Sequence, residues 1–543
     1  MSATPELSAV PAATAPPSRR GRRAPLPHPI LVLPAVLVAL FALIPVAYLV
    51  IRAGDAGWAR AFEILWRERT LDLVLRSLWL TFSVTFCCLV IGVGLAALVT
   101  RTDLPFRRSI TVLAALPLAV PSYVAAYAWI STFSQSAGYW GALLVLTLCT
   151  YPYVFLPVAA VLRRTDTGLE EVARSLGRSG PRTFFTVTLR QARPAMAAGS
   201  LLVALYTLSD FGAVSLLRYD VFTRVIYTSY RASFDRTPAA VLALLLVVIT
   251  VAITVAESRS RGRAEQARVG AGVNRPPTMA TLSLRQRVAA LAGVGVVAGL
   301  ALGFPAVVLT GWLLRGQSAG IDVGRLVPAA GSTLYVSALG ALVAVLMALP
   351  VGILAARSRH RLVRVTEHAT YAGHALPGLV VALAMVFFGI RVVPGIYQQV
   401  PLLVITYAIL FLPAAVGVVR ASVALSSPRT EEMARSLGKS QLGVLRSVTI
   451  PLAAPGIGAG AALVMLTCMK ELPATLLLRP TGMDTLATRL WTHTAVAEYA
   501  AAAPYAAVLV VLAVIPTLML AREQIGLRPV RGPRAPRPEE AST

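Results

Sequence analysis

Apolar runs long enough to cross a bilayer alternate along this chain with short charged segments. About 20 predominantly apolar residues span the hydrocarbon core. Roughly twelve such windows can be drawn, near 29–51, 73–100, 109–131, 139–161, 195–217, 238–256, 288–314, 332–356, 368–391, 400–424, 455–476 and 502–521. Pro and Gly interrupt the windows at 109–131 and 368–391. The pattern predicts an all-α polytopic membrane protein of about twelve transmembrane helices.

The polar segments carry a repeat. Glu170-Glu171-Val172-Ala173-Arg174-Ser175-Leu176-Gly177 returns as Glu431-Glu432-Met433-Ala434-Arg435-Ser436-Leu437-Gly438. Upstream, Arg101 aligns with Arg357 and Pro121 with Pro377, and Thr150 to Pro157 aligns with Thr406 to Pro413. Downstream, Ser209-Asp210-Phe211-Gly212-Ala213 matches Lys470-Glu471-Leu472-Pro473-Ala474. One six-helix unit is thus written twice, over 29–257 and 288–521. An even number of spans per unit makes the copies parallel, related by a pseudo-twofold axis along the membrane normal that frames a central pathway. Residues 258–287, with the pair Pro276-Pro277, read as a cytoplasmic linker. Residues 1–28 and 522–543 read as basic cytoplasmic tails. The apolar run from residue 29 is too long for a cleaved leader.

Each repeated charged segment is expected to form a short helix–turn–helix elbow. Thr167 with Glu170 has the form of a capping box, and Ser427-Pro428 sets a cap before a first-turn proline. Glu171 with Arg174, and Glu432 with Arg435, sit three apart on one helical face. Gly177 and Gly438 are expected to end the first helix in the left-handed geometry. A second amphipathic stretch follows in each copy, through Phe184, Phe185, Val187 and Leu189 or Val444, Leu445, Val448 and Ile450. Pro194 and Pro455 are expected to close each elbow before the next span. A lipid-facing surface has no use for such a segment, but a soluble partner does. In the seventh span Gly295, Gly299 and Gly303 recur at the spacing of a helix-packing face.

Composition agrees with the class: 57% of the chain is hydrophobic, 14% charged, and mean hydropathy is +0.72. The net charge of +26 comes from arginines in tails and loops rather than in a nucleic-acid groove. Arg19, Arg20, Arg22, Arg23, Arg107, Arg108, Arg163, Arg164, Arg259, Arg261, Arg263 and Arg268 follow the positive-inside pattern, which places both termini in the cytoplasm. The loop 218–236 blurs it with Arg218, Arg224, Arg231 and Arg236. Cys87, Cys88, Cys149 and Cys468 all fall in spans, without zinc or redox spacing.

The chemistry-bearing residues are few. Gly438-Lys439-Ser440 ends like a phosphate-binding loop, but Met433 stands where the earlier glycine is required. Gly456-Ile457-Gly458-Ala459-Gly460 reads as helix packing and His374 as a core histidine. No catalytic carboxylate pair or His-rich metal box appears in the apolar segments. Asp210 and Glu471, equivalent in the two halves, are costly at membrane depth. They are candidates for a cation path, or else for ion pairing or helix capping.

Glu, one residue, Ala, three residues, Gly, then an aliphatic–x–aliphatic–Pro ending resembles the "EAA" loop of permeases in binding-protein-dependent ATP-binding-cassette importers. Glu432, Ala434, Gly438, Val448, Ile450 and Pro451 fit it. Glu171, Ala173, Gly177, Val187 and Leu189 fit it in the first copy, with Arg190 at the proline position. The resemblance covers residues 70 to 520 and implies a permease without its own ATP site or bound cofactor. It implies two cytoplasmic ATP-binding-cassette subunits docked on the loops, and an extracytoplasmic substrate-binding protein. Glu170, Glu171, Ala173, Gly177, Glu431, Glu432, Ala434 and Gly438 would be the coupling residues. The fused arrangement and the segments around Asp210 and Glu471 are similar to ferric-iron importers. Thiamine, organophosphonate and polyamine importers share the plan. A secondary transporter is the alternative from another class, and it would need no elbow for a soluble partner.

Overall fold

The computed structural model describes residues 29–55, 57–163, 165, 168–232, 236–261, 279–315, 321–372 and 376–524. Among them there is no strand; one isolated bridge joins Thr102 to Ala280, and the ordered remainder is helical. The first half comprises α1 (Pro29–Asp55), α2 (Glu68–Arg101), α3 (Arg107–Ala119), α4 (Ser122–Thr132) and α5 (Tyr139–Leu162). It continues with α6 (Gly168–Ser175), α7 (Leu189–Ser209), α8 (Gly212–Leu216), α9 (Phe222–Ala232) and α10 (Thr237–Arg261). The second half repeats this order. Its elements are α11 (Leu284–Arg315), α12 (Val323–Arg357), α13 (Arg361–Ala372), α14 (Gly378–Arg391) and α15 (Val400–Leu425), then α16 (Pro428–Ser436), α17 (Ile450–Met469), α18 (Pro473–Leu478), α19 (Leu486–Ala495) and α20 (Tyr499–Gln524).

Among the described residues, 8 helices are long and apolar enough to cross a membrane. The other windows hold shorter or broken helices. α3 and α4 meet at an 87° bend, where Pro121 forces extended geometry on the residue before it. α14 is a shorter apolar helix preceded by Pro377, and the apolar part of α20 is also short. α7 carries Arg190 and Arg193 near its start.

The core of each half is a three-helix packing, α2 with α5 and α7, and α12 with α15 and α17. Glycine permits the close approach. A Cβ on Gly199 would lie 2.7 Å from the Tyr153 carbonyl oxygen, and one on Gly92 would lie 3.0 Å from the Phe155 nitrogen. Gly295, Gly299 and Gly303 do not serve this purpose within the chain, because a Cβ at any of them meets nothing within 4 Å. Gly299–Gly303 is instead a π turn that re-phases α11.

The first helix of each half crosses to the other. α1 packs against α12, α13 and α14, with Tyr48 edge-on to Phe388 at 6.1 Å. α11 packs against α4, where Trp312 Nε1 donates to Ser131 Oγ at 3.1 Å and Phe304 lies 4.2 Å from Trp129. The end of the linker is stitched to the first half beside Arg101. The Asp103 amide donates to the Ala280 carbonyl, the Ala280 amide to the Arg101 carbonyl, and the Leu282 amide to Asp103 Oδ1. Arg287 pairs with the same carboxylate. The Leu282 amide and then Arg287 hold the Asp103 carboxyl below its ordinary range. This contact is therefore complete at neutral pH and weakens as pH falls through that lowered value. A capping box between Ser283 and Gln286 then starts α11.

Replacing Gly199 by Leu should abolish the folded monodisperse peak in detergent, because the opposing atoms are backbone and cannot yield. Gly299→Leu should leave that peak unchanged, as read by fluorescence-detected size-exclusion chromatography.

Candidate functional site

The elbows follow α5 and α15, and glycine ends their first helix in both copies. Gly177 and Gly438 have φ of 81° and 82°. The Arg178 amide reaches the Ala173 carbonyl at 3.1 Å and the Lys439 amide reaches the Ala434 carbonyl at 3.2 Å. This is the hydrogen-bond pattern of a glycine-terminated helix end. The second arm does not stop at proline. It passes through a π turn, Phe184–Thr188 or Leu445–Thr449, directly into α7 or α17, and Pro194 and Pro455 lie inside those helices. Membrane helices accommodate proline where neighbours satisfy the freed carbonyl. Each elbow is therefore the bent start of a long intramembrane helix.

The paired glutamates have different surroundings. Glu170 is 3% exposed and Arg101, at the end of α2, is 7% exposed. Nη1 of the guanidinium donates to Oε2 at 3.2 Å, and Nη2 lies at ion-pair distance, 3.0 Å, from Oε1. Thr188 Oγ1 donates to the same Oε1 at 2.7 Å. The second half repeats the clamp. Arg357, at the end of α12, reaches Glu431 Oε1 through Nη2 at 2.8 Å and Nε at 3.1 Å, and Thr449 Oγ1 donates to that oxygen at 3.1 Å. Arg357 also holds Ser426, through its hydroxyl and carbonyl. Glu171 and Glu432 are exposed instead, while Ala173 and Ala434 are buried. Beside the exposed glutamates stand uncovered apolar side chains: Leu169, Val172, Leu176 and Phe185 on one elbow, Met433 and Leu437 on the other.

Thr188 and Thr449 went unnoticed in the sequence, although they occupy matching places in the repeat. Thr167 and His374 lie outside the described residues. Glu170 serves the clamp, and Ser427 makes no side-chain cap although Pro428 takes the first helical turn. Arg435 donates to the Glu431 carbonyl rather than pairing with Glu432. In Gly438-Lys439-Ser440, Ser440 caps the following turn through the Gly443 amide at 3.2 Å.

A second candidate site lies where helices break inside the bundle. α7 ends at Asp210 and α17 just before Glu471, opposite the proline breaks that begin α4 and α14. Asp210 is buried and caps α8. Its Oδ1 accepts from the Ala213 and Val214 amides at 3.0 and 3.3 Å, and Ser122 donates to Oδ2. Glu471 caps α18 through the Ala474 amide at 3.2 Å. Gly378 stands where the first half has Ser122, and a Cβ there would lie 3.1 Å from Glu471 Oε1. Lys470 donates across the halves to the Leu118 carbonyl at 3.0 Å. Among the described residues, no group of three or more His, Cys, Asp or Glu side chains could hold a metal ion.

Two parallel helical units, each with a buried-clamp elbow and broken intramembrane helices, define a multi-pass membrane permease. The chain belongs to the family described as binding-protein-dependent transport system inner membrane component, whose model matches residues 88–258 and 348–522. It is 37% identical over 488 residues to the Fe(3+)-transport system permease protein FbpB 2 of Haemophilus influenzae, covering 89% of this chain and 96% of that one. The sulfate transport system permease protein CysT of Escherichia coli is 27% identical over 209 residues, covering 36% of this chain and 76% of the relative. The molybdate/tungstate permease WtpB of Pyrococcus furiosus is 27% identical over 199 residues, covering 34% and 80% respectively.

Glu170→Gln leaves the Arg101 charge buried without its counter-charge and should lower stability by about 3 kcal/mol. The exposed Glu171→Gln should change it by less than about 0.5 kcal/mol. Thermal unfolding of the purified variants separates the two roles.

Proposed function

We propose that this chain is the permease of an ATP-driven importer for ferric iron, supplied by an extracytoplasmic binding protein. The observation that carries the iron reading is a similarity to a ferric-iron permease that runs through both halves. The similarities to sulfate and molybdate/tungstate permeases each cover about a third of the chain. The arginine-rich ends of α2, α5 and α10 lie on the elbow face, which favours a cytoplasmic elbow and cytoplasmic termini. On each elbow an exposed glutamate sits among uncovered apolar side chains, a surface suited to a cleft on a soluble subunit. Two separate ATP-binding-cassette subunits would take Glu171 and Glu432 with their neighbours, and ATP would be bound there rather than on this chain.

The clamps make this docking mechanical. A push on α6 passes through Glu170 and Arg101 into α2, and a push on α16 passes through Glu431 and Arg357 into α12. The halves would then rock about the crossed-over α1 and α11, exposing the central breaks to one face and then the other. Discontinuous helices at membrane depth mark substrate pathways, which supports the ends of α7 and α17 as the iron path. Asp210 and Glu471 stand there as hard oxygen donors, each already engaged by helix amides. Contact with cargo would be brief, as release requires.

Iron-starved cells lacking this gene, with its neighbouring transport genes supplied, should lose ATP-dependent uptake of radiolabelled ferric iron. Restoring the chain with Glu171→Arg and Glu432→Arg should give folded permease without uptake. Asp210→Asn with Glu471→Gln should lower uptake while the ATPase subunits still copurify. Unchanged uptake on deletion would overturn the iron reading. Unchanged uptake by the reversal variant would overturn the elbow assignment.

A further inference from the structure

On the face opposite the elbows, the ends of α1 and α14 and the residue before α10 line an open pocket of about 160 Å³. Arg52, Arg236, Phe387, Ile390 and Arg391 line it, so the wall is drawn from both halves. Arg52 and Arg391 both lean on one carboxylate oxygen, Asp55 Oδ2, at 3.5 and 3.2 Å. Arg236 pairs with no carboxylate among the described residues. Its guanidinium lies 4.8 Å from the ring centre of Tyr230, and that of Arg52 lies 5.5 Å from the ring centre of Phe387.

Among the described residues, three guanidiniums thus share a small space with one carboxylate. Elsewhere on this face some arginines have a carboxylate, Arg76 with Asp72, Arg224 with Asp220 and Arg325 with Asp322, whereas Arg231 and Arg315 rest on aromatic rings. Guanidiniums kept close together repel one another, and an anion among them relieves that repulsion. Planar guanidinium forks suit oxyanions in particular, binding two oxygens at once. Stacking on Phe387 and Tyr230 holds two of the forks in place before any ligand arrives. About 10–15 Å³ of such space suffices for one water, so the pocket has room for an anion the size of phosphate.

We propose that this pocket is an oxyanion site for a phosphate-class group, free or carried on an anionic lipid headgroup, and that the bound anion ties the two halves together. Arg52 and Arg236 belong to the first half and Arg391 to the second. The complete site therefore exists only when these ends are apposed. Binding favours the state closed on this face by the ratio of affinities in the two states.

The test uses the whole transporter, with its ATPase subunits, in phosphatidylcholine nanodiscs. Inorganic phosphate is titrated at constant ionic strength and the thermal midpoint is read, because a ligand of the folded state raises it by mass action. Wild type should show a saturable rise. Arg236→Gln, which leaves both Asp55 contacts intact, should shift half-saturation by about tenfold or more, and Arg391→Gln should do likewise. The titration is repeated in nanodiscs containing phosphatidylglycerol. If a headgroup is the source, wild type starts stabilised, phosphate adds nothing, and native mass spectrometry finds retained phosphatidylglycerol that Arg236→Gln loses. If the source is free anion, the phosphate response is the same in both lipids. Equal phosphate responses and equal lipid retention in wild type and both variants would overturn the proposal.

Discussion

Each elbow is held by an arginine on a buried glutamate, with Arg101 buried and Arg357 partly buried, and the transport geometry depends on that contact. Neither charge could remain in its place alone, since an unpaired ion away from water carries a penalty of several kcal/mol. Together they are stable, with an ion pair and one guanidinium hydrogen bond in the first half, two in the second, and a threonine hydroxyl donating to the carboxylate in both. The position of the arginine matters as much as the bond. Arg101 and Arg357 are the last residues of α2 and α12, helices of 34 and 35 residues that run the depth of the bundle. A short surface helix is thereby fastened to the longest rigid element of its half.

The same economy of polar contacts governs the interior. A helix that breaks inside a membrane frees amides and carbonyls that need partners. Here an acidic side chain at the end of α7 or α17 caps the short helix that follows. The halves reach this result differently. Asp210 is short and takes a hydroxyl from Ser122, whereas the longer Glu471 fits because Gly378 has no side chain. Lys470, facing Leu118 across the halves, has Ser209 as its counterpart, so the symmetry is broken where the halves meet.

Much of this was legible in the sequence. Apolar length announced the spans, and the repeat disclosed parallel halves, the elbows and their terminal glycines. The arginines that the repeat aligns proved to pair with the glutamates that it aligns, Arg101 with Glu170 and Arg357 with Glu431. What spacing could not reveal was which glutamate of each pair turns inward, because adjacent helical positions differ by about 100° and either could face the bundle. Thr188 and Thr449 were invisible for a related reason: their place depends on a π turn, which shifts the phase of every later residue. Pro194 and Pro455 looked like stops because proline usually ends helices in water. The glycines of the seventh span had packing spacing, but spacing does not say whether a neighbour is present.

The central claim is that each elbow moves as one body with its long helix while the two elbows move relative to each other. Pulsed dipolar EPR tests this directly on the assembled transporter, with spin labels at exposed positions. A pair at Arg182 and Val90 lies within the first half, and a pair at Arg182 and Arg446 spans both. On ATP binding, the distance within the half should stay constant while the distance between elbows changes. An altered Arg182–Val90 distance with a constant Arg182–Arg446 distance would contradict the account.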